Sequence, residues 1–242
     1  MRALLELSYP LKLGIVIAFA YFFGAIPFSL IVGKLFFRVD LRKEGSGNLG
    51  TTNTFRILGV KPAIAILILD MLKGVLPVML ARFLGGTPLS VLAAAQSSPT
   101  AQAWLMIAGA LTAVIGHSAS PYIKFRGGKG AATTAGVMLA LMPKVFIIAA
   151  ILFIGTVALT HYVSVGTLVV ALTFPVLTAL FYPQLPYILL SLIVAVILIY
   201  LHRANIKRLK EGTEPRFSWK NRGSAGEHRE AEEDASGSST KS

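Results

Sequence analysis

The sequence predicts an all-α protein: a polytopic membrane helical bundle of about seven transmembrane helices, N-terminus outside and C-terminus cytoplasmic. Three observations carry that expectation. Of the 242 residues, 55% are hydrophobic and 14% are charged, too little polar surface for a soluble domain of this length. The apolar residues gather into runs near the roughly 20 residues that a spanning helix needs. Lysine and arginine divide unequally between the loops on the two sides of those runs, fifteen against four, the asymmetry that orients membrane helices.

Candidate spans cover about 13–37, 62–83, 101–120, 131–143, 144–161, 165–182 and 186–201. The first is preceded by Arg2 and Lys12 and holds the small-residue triplet Ala18-Phe19-Ala20. Its apolar character continues to Phe37, so it reads as an uncleaved span and not as a signal peptide. The second contains Asp70 and Lys73, three residues apart and so on one helical face, a structural pair turned toward the bundle. The third and fourth are short of strongly apolar residues and fit tilted or partial helices packed inside the bundle. From Gly223 the chain reads GSAGEHREAEEDASGSSTKS, without apolar periodicity, which predicts a disordered tail. The expected organisation is a membrane domain over 1–222 and a polar tail over 223–242.

The oriented loops separate chemistry from connection. Arg38, Arg42, Lys43, Arg56 and Lys61 share one side with Lys124, Arg126 and Lys129 and with the cations between Arg203 and Arg222; Arg2, Lys12, Arg82 and Lys144 take the other. Every polar motif falls on the cation-rich side. The net charge of +12 follows from these loop ends and predicts no nucleic-acid partner, because no basic surface is interleaved with aromatics. Cysteine is absent, which excludes disulfides, thiolate metal sites and a cysteine-bound acyl intermediate.

The first motif is EGSGNLGTTNTFR, residues 44–56. Gly45, Gly47 and Gly50 permit the backbone turns that bring amide N–H groups together into an anion-binding hollow. Ser46, Asn48, Thr51, Thr52 and Asn53 add neutral donors, and Arg56 supplies a fork that matches phosphate. A plain connector in which Asn48 and Asn53 cap helices needs neither three glycines nor the arginine.

The second is GHSASPYIKFRGGKGAATTAG, residues 116–136. Gly127, Gly128 and Gly130 surround Lys129, and a small-residue helix follows, which makes an anion receptor with Lys129 as its point charge. It is not a Walker loop, since Gly130 stands where serine or threonine is required. His117 reads as a buried, hydrogen-bonded histidine.

The third is HRANIKR, residues 202–208. His202 and Asn205 are three apart and share a face if the last helix continues. Two readings stay open for His202: a group that orients a substrate hydroxyl or phosphate, or an interfacial histidine among basic anchors. Ser164, in HYVSVG, reads first as a helix cap.

Absences narrow the chemistry. No HxxxxD follows His117, His161 or His202, whose fifth residues on are Tyr122, Gly166 and Lys207. GxSxG, HExxH and a carboxylate cluster suited to a metal are missing too, so no cofactor and no metal is expected.

Together, GSGNLGTTNTFR, GHSASPYIKFRGGKGAATTAG and HRANIKRL with the following GTEPR resemble the signature segments of the bacterial acyl-phosphate:glycerol-3-phosphate acyltransferases, the PlsY type. The resemblance runs in order from the first span to about Phe217. It implies seven helices and an active site on the cytoplasmic face of the bacterial inner membrane. It also implies transfer of an acyl group from acyl phosphate to the 1-hydroxyl of sn-glycerol 3-phosphate, giving lysophosphatidic acid and inorganic phosphate without a covalent acyl-enzyme. The catalytic set it implies is His202, Asn205, Ser164 and Lys129. The substrate-binding set is Ser46, Gly47, Asn48, Gly50, Asn53, Arg56, Gly127, Gly128 and Lys129. Partners follow as the two substrates, membrane lipid and a functional link to the enzyme that makes acyl phosphate. At position 204 the resemblance implies an acidic residue, where this chain has Ala204. The hydroxyl proton passes to His202 or to a substrate phosphate oxygen. The alternative from another class is a membrane transporter of a phosphorylated organic anion, against which stand the missing inverted repeat and the one-sided motifs.

Overall fold

The computed structural model describes residues 7–86 and 100–217. The expected tail over 223–242 and most of the loop over 84–100 lie outside the described residues. Helices make up all the regular structure described: α1 (Tyr9–Gly24), α2 (Phe28–Phe37), α3 (Thr51–Leu58), α4 (Val60–Gly85), α5 (Thr100–Ser118), α6 (Ala131–Leu141), α7 (Pro143–Thr160), α8 (Val163–Phe181), α9 (Leu185–Leu201) and α10 (Arg203–Lys210). A single 3-10 turn, Pro121–Ile123, follows α5.

The protein is a multi-pass membrane bundle. Among the described residues, five stretches are long and apolar enough to cross: Tyr9–Phe37, Val60–Gly85, Ala101–Ile123, Pro143–Thr160 and Val163–Phe181. Helix α9 passes the same test when joined to α10, from which it bends by 53°. The expected first span breaks after Gly24, because Pro27 donates no hydrogen bond and disfavours the helical conformation in Ile26. The fourth run is the partial helix its composition suggested: 11 residues rise only about 16 Å, half the hydrocarbon thickness. The third is full length and is the most buried span. Its weak apolarity reflects contact with protein in place of lipid.

Small residues bring the axes close. A Cβ on Gly136 would collide with the Met71 carbonyl, and one on Gly74 with that of Thr133, so α4 and α6 touch backbone to backbone. Gly24 and Gly116 do the same for α1 and α5, where added Cβ atoms would lie 2.6 Å from Ala113 O and 2.5 Å from Tyr21 O. Val16, Val78, Met106, Val114, Val137, Phe174 and Leu190 fill the core. Ile147, Ile151, Ile154 and Leu159 on α7 are exposed, as a face turned to lipid must be. These contacts fix the ends of α2, α4, α5, α6, α8 and α9 around one mouth of the bundle, where all the polar motifs emerge.

Candidate active site

The loop over 44–50 is built around Asn53. Its amide Nδ2 donates to Leu41 O at 3.2 Å and Glu44 O at 3.1 Å, and its Oδ1 accepts Ser46 N at 2.9 Å and Ser46 Oγ at 3.2 Å. Two donors and two acceptor positions exhaust what an asparagine side chain can do. Asn53 is buried, so it shapes the loop and has no polar group left for a ligand. Gly45 (φ 56°) and Gly47 (φ 68°) make the turn, and a Cβ on Gly45 would sit 2.5 Å from Asn53 Oδ1. The amides of Gly47 and Gly50 close local turns onto Glu44 O and Asn48 O. Asn48 is half-buried beside Gly50, and Ser46 is exposed.

The second loop descends through Lys124 and Phe125, both at positive φ (55° and 59°), a conformation that costs about 1–2 kcal/mol per residue. It then folds back on the end of α5: Gly127 N donates to Ser118 O at 3.0 Å and Gly128 N to His117 O at 3.2 Å. These two amides are therefore already bonded and are not the free donors that the glycine pattern suggested. What the glycines permit is approach. A Cβ on Gly128 would lie 2.7 Å from the Leu49 carbonyl of the first loop, so the two motifs are in direct contact.

Helices α3 and α6 start at that junction. Their N-caps are Gly50 and Gly130, without side-chain caps. The first-turn amides of Thr51, Thr52, Ala131 and Ala132 thus have no intrahelical acceptor and favour an anion through the helix dipole.

The third motif closes the site. Lys129 Nζ donates to Asn205 Oδ1, and Asn205 Nδ2 donates to Glu214 Oε1 at 2.6 Å. Glu214 Oε2 accepts Arg208 Nε at 2.7 Å. Ser164 Oγ also acts on Glu214, short of full hydrogen-bond geometry. The strap over 211–217 then ties the remaining elements: Arg56 Nη2 donates to Pro215 O at 3.1 Å, the Phe55 and Phe217 rings meet at 4.9 Å, and Phe217 N donates to His161 O at 2.6 Å. His202, at the break between α9 and α10, places Nδ1 2.8 Å from Leu198 O. A carbonyl only accepts, so the ring proton is on Nδ1 and Nε2 keeps its lone pair. Ala204 is exposed on α10, whereas His202 and Asn205 are buried.

Burial sets the electrostatics. It pushes Lys129 down to about 8, helped by Arg208 and Arg56 and opposed by Glu214. It also holds His202 at about 4, against the Leu198 carbonyl, which favours the charged ring, while Lys129 lowers the value further and Glu214 raises it. Burial works to raise Glu214, but the hydrogen bonds from Asn205 and Arg208, with the Ser164 hydroxyl acting in the same direction, outweigh it and leave the carboxyl below its ordinary value. Lys129, Arg56 and Arg208 thus converge on one carboxylate, a cationic pocket with a neutral histidine at its edge.

Glu214 and Arg208 are the residues that sequence reasoning missed. Arg208 lies on the face of His202 and Asn205, six and three residues on, which was the available signal. Glu214 offered only its place in GTEPR.

Residues 14–212 match the family model described as glycerol-3-phosphate acyltransferase. A glycerol-3-phosphate acyltransferase from Halalkalibacterium halodurans is 40% identical over 220 residues, 89% of this chain and 98% of that protein. One from Listeria monocytogenes is 40% identical over 200 residues, 83% and 94% of the two. Among solved structures, the glycerol 3-phosphate form of PlsY, an integral membrane glycerol 3-phosphate acyltransferase, superposes with a TM-score of 0.76 at 32% identity, covering 85% of this chain and 96% of that one. Its lysophosphatidic acid form gives 0.74 at 29%, covering 86% and 96%.

Proposed function

Because the chain belongs to the glycerol-3-phosphate acyltransferase family, we propose that it carries a fatty acyl group from acyl phosphate to the 1-hydroxyl of sn-glycerol 3-phosphate. The products are lysophosphatidic acid and inorganic phosphate, the first step of phospholipid synthesis. The observation that carries this reading is the meeting of Lys129, Arg56 and Arg208 around Asn205 and Glu214 at the mouth of a lipid-embedded bundle.

The substrate oxygen attacks the acyl carbon, the carbon–oxygen bond to phosphate breaks, and the hydroxyl proton leaves with a phosphate oxygen. Acyl phosphate is already activated, so no covalent acyl-enzyme is needed. Lys129 and Arg56 stabilise the charge gathering on the departing phosphate. The uncapped first turns of α3 and α6 supply amide donors, and two anions held side by side supply proximity. Ser164, His202 and Asn205 enclose the glycerol phosphate, with the free Nε2 of His202 accepting from its hydroxyl and orienting it. Ser46, Gly47, Asn48, Gly50, Asn53, Gly127 and Gly128 form the wall that holds these groups in register.

Loop charge supports a cytoplasmic active site in the bacterial inner membrane, N-terminus outside. The catalytic unit extends to about residue 222, and the tail over 223–242 takes no part in chemistry. The donor makes the protein depend on an enzyme that forms acyl phosphate.

The test offers the purified protein palmitoyl phosphate, palmitoyl-CoA and palmitoyl-carrier protein separately, each with labelled glycerol 3-phosphate. Labelled lysophosphatidic acid from palmitoyl phosphate alone is expected. Product from a thioester donor alone, or flux of label across proteoliposomes without ester formation, overturns the reading.

A further inference from the structure

A buried ionic cluster lies beneath the glycine-rich turn and meets the site assigned above through Gly127 and Gly128. Asp70 Oδ1 and Lys73 Nζ pair at 2.7 Å on α4. Lys73 Nζ also stands 3.4 Å from His117 Nδ1 on α5 and 4.9 Å from the Phe28 ring at the start of α2. All three polar side chains are buried. Such a pair adds little stability over apolar residues of the same shape, because desolvation offsets the attraction. Ionisable groups inside a membrane bundle are retained for a task.

His117 connects this cluster to the turn. An ammonium only donates, so Nδ1 accepts from Lys73 and the ring proton lies on Nε2. That Nε2 edge abuts Gly128, where an added Cβ would overlap it. The carbonyls of His117 and Ser118 receive the amides of Gly128 and Gly127. A cavity of about 10 Å³, room for one water, is bounded by Asp70, Lys73, His117, Leu49, Gly127 and Gly128. Lys129 is the next residue.

We propose that Asp70, Lys73 and His117 are positioning residues for acyl transfer: the ion pair fixes the His117 ring, the ring seats Gly128 against Leu49, and the seated turn aims Lys129. The inference rests on the role proposed above for Lys129.

A double-mutant cycle tests it. Asp70→Asn/Lys73→Met, which removes both charges together, and His117→Gln as a second variant are each made in native and Lys129→Met backgrounds. Thermal melts, the glycerol 3-phosphate Kd by calorimetry and kcat/KM with palmitoyl phosphate are measured. In the native background kcat/KM should fall on the order of 10²-fold, the cost of a misplacement of about 1 Å, and Kd should weaken. In the Lys129→Met background both should change by less than about 2-fold, because coupled sites are not additive. Equal losses in both backgrounds, no loss in the native one, or failure of both variants to fold overturns the inference while leaving Lys129 its role. Native values for Lys129→Met itself remove that role, and the inference with it.

Discussion

Lys129 Nζ donates to Asn205 Oδ1 across 76 residues of chain, and this contact joins the glycine-rich turn to the end of the last span. Asn205 passes the constraint on to Glu214, which also holds Arg208. A cation, an amide and a carboxylate from three segments therefore stand in one hydrogen-bonded line, and each is placed by the other two.

Removing the cation tests the line where chemistry depends on it. Lys129→Met should lower kcat/KM by about 10²–10³-fold, the cost of deleting one donor aimed at developing charge. The protein should still purify as a folded membrane protein, which size-exclusion chromatography and a thermal melt check.

Lys129 also predicts an alkaline limb. Its ammonium is held at about 8 by burial and neighbouring arginines, so kcat/KM should fall as pH rises through about 8 and the charge is lost. Lys129→Arg, which stays charged, should lose this limb even at reduced activity. Stability should move the other way. Between about 8 and the ordinary lysine value the unfolded chain binds more protons, so the native state gains stability with rising pH.

His202 should stay neutral across the working range, because burial holds it at about 4. An acid limb near pH 6 should therefore persist in His202→Asn, since it belongs to the substrate phosphate, whose second ionisation lies near 6. Its disappearance from pH–rate profiles of that variant would place the titration on the histidine.

Glu214→Gln should destabilise the protein by about 2 kcal/mol, the scale of hydrogen bonds to a charged group. One amide oxygen cannot serve Asn205 and Arg208 together, and its NH2 would oppose the guanidinium. The carboxyl sits below its ordinary value despite burial, through its hydrogen bonds. Its stabilisation is thus present above the unfolded carboxyl pKa and lost as pH falls through the lower, folded one. Melting temperature against pH should show that acid loss in the native protein and not in the variant.

Asn53→Asp keeps an acceptor for Ser46 but sets a carboxylate against Leu41 O and Glu44 O. A loss of about 1–3 kcal/mol follows from two carbonyls left without donors, with faster proteolysis confined to residues 41–53.

By itself the sequence determined that helices cross a membrane and that the polar motifs lie between the apolar runs, because these depend on local composition, while the break of the first run after Gly24 and the half-length of the fourth were decided by the fold. It also marked Lys129, Arg56, His202 and Asn205 as residues of interest. Which polar groups are free was decided only by tertiary structure. The partners of Gly127 and Gly128 sit at the end of α5, Asn53 uses all its bonding capacity within its own loop, and Arg56 meets Pro215 across 159 residues. A hydrogen bond is satisfied by whatever the fold brings within about 3 Å, and no local pattern of residues encodes that.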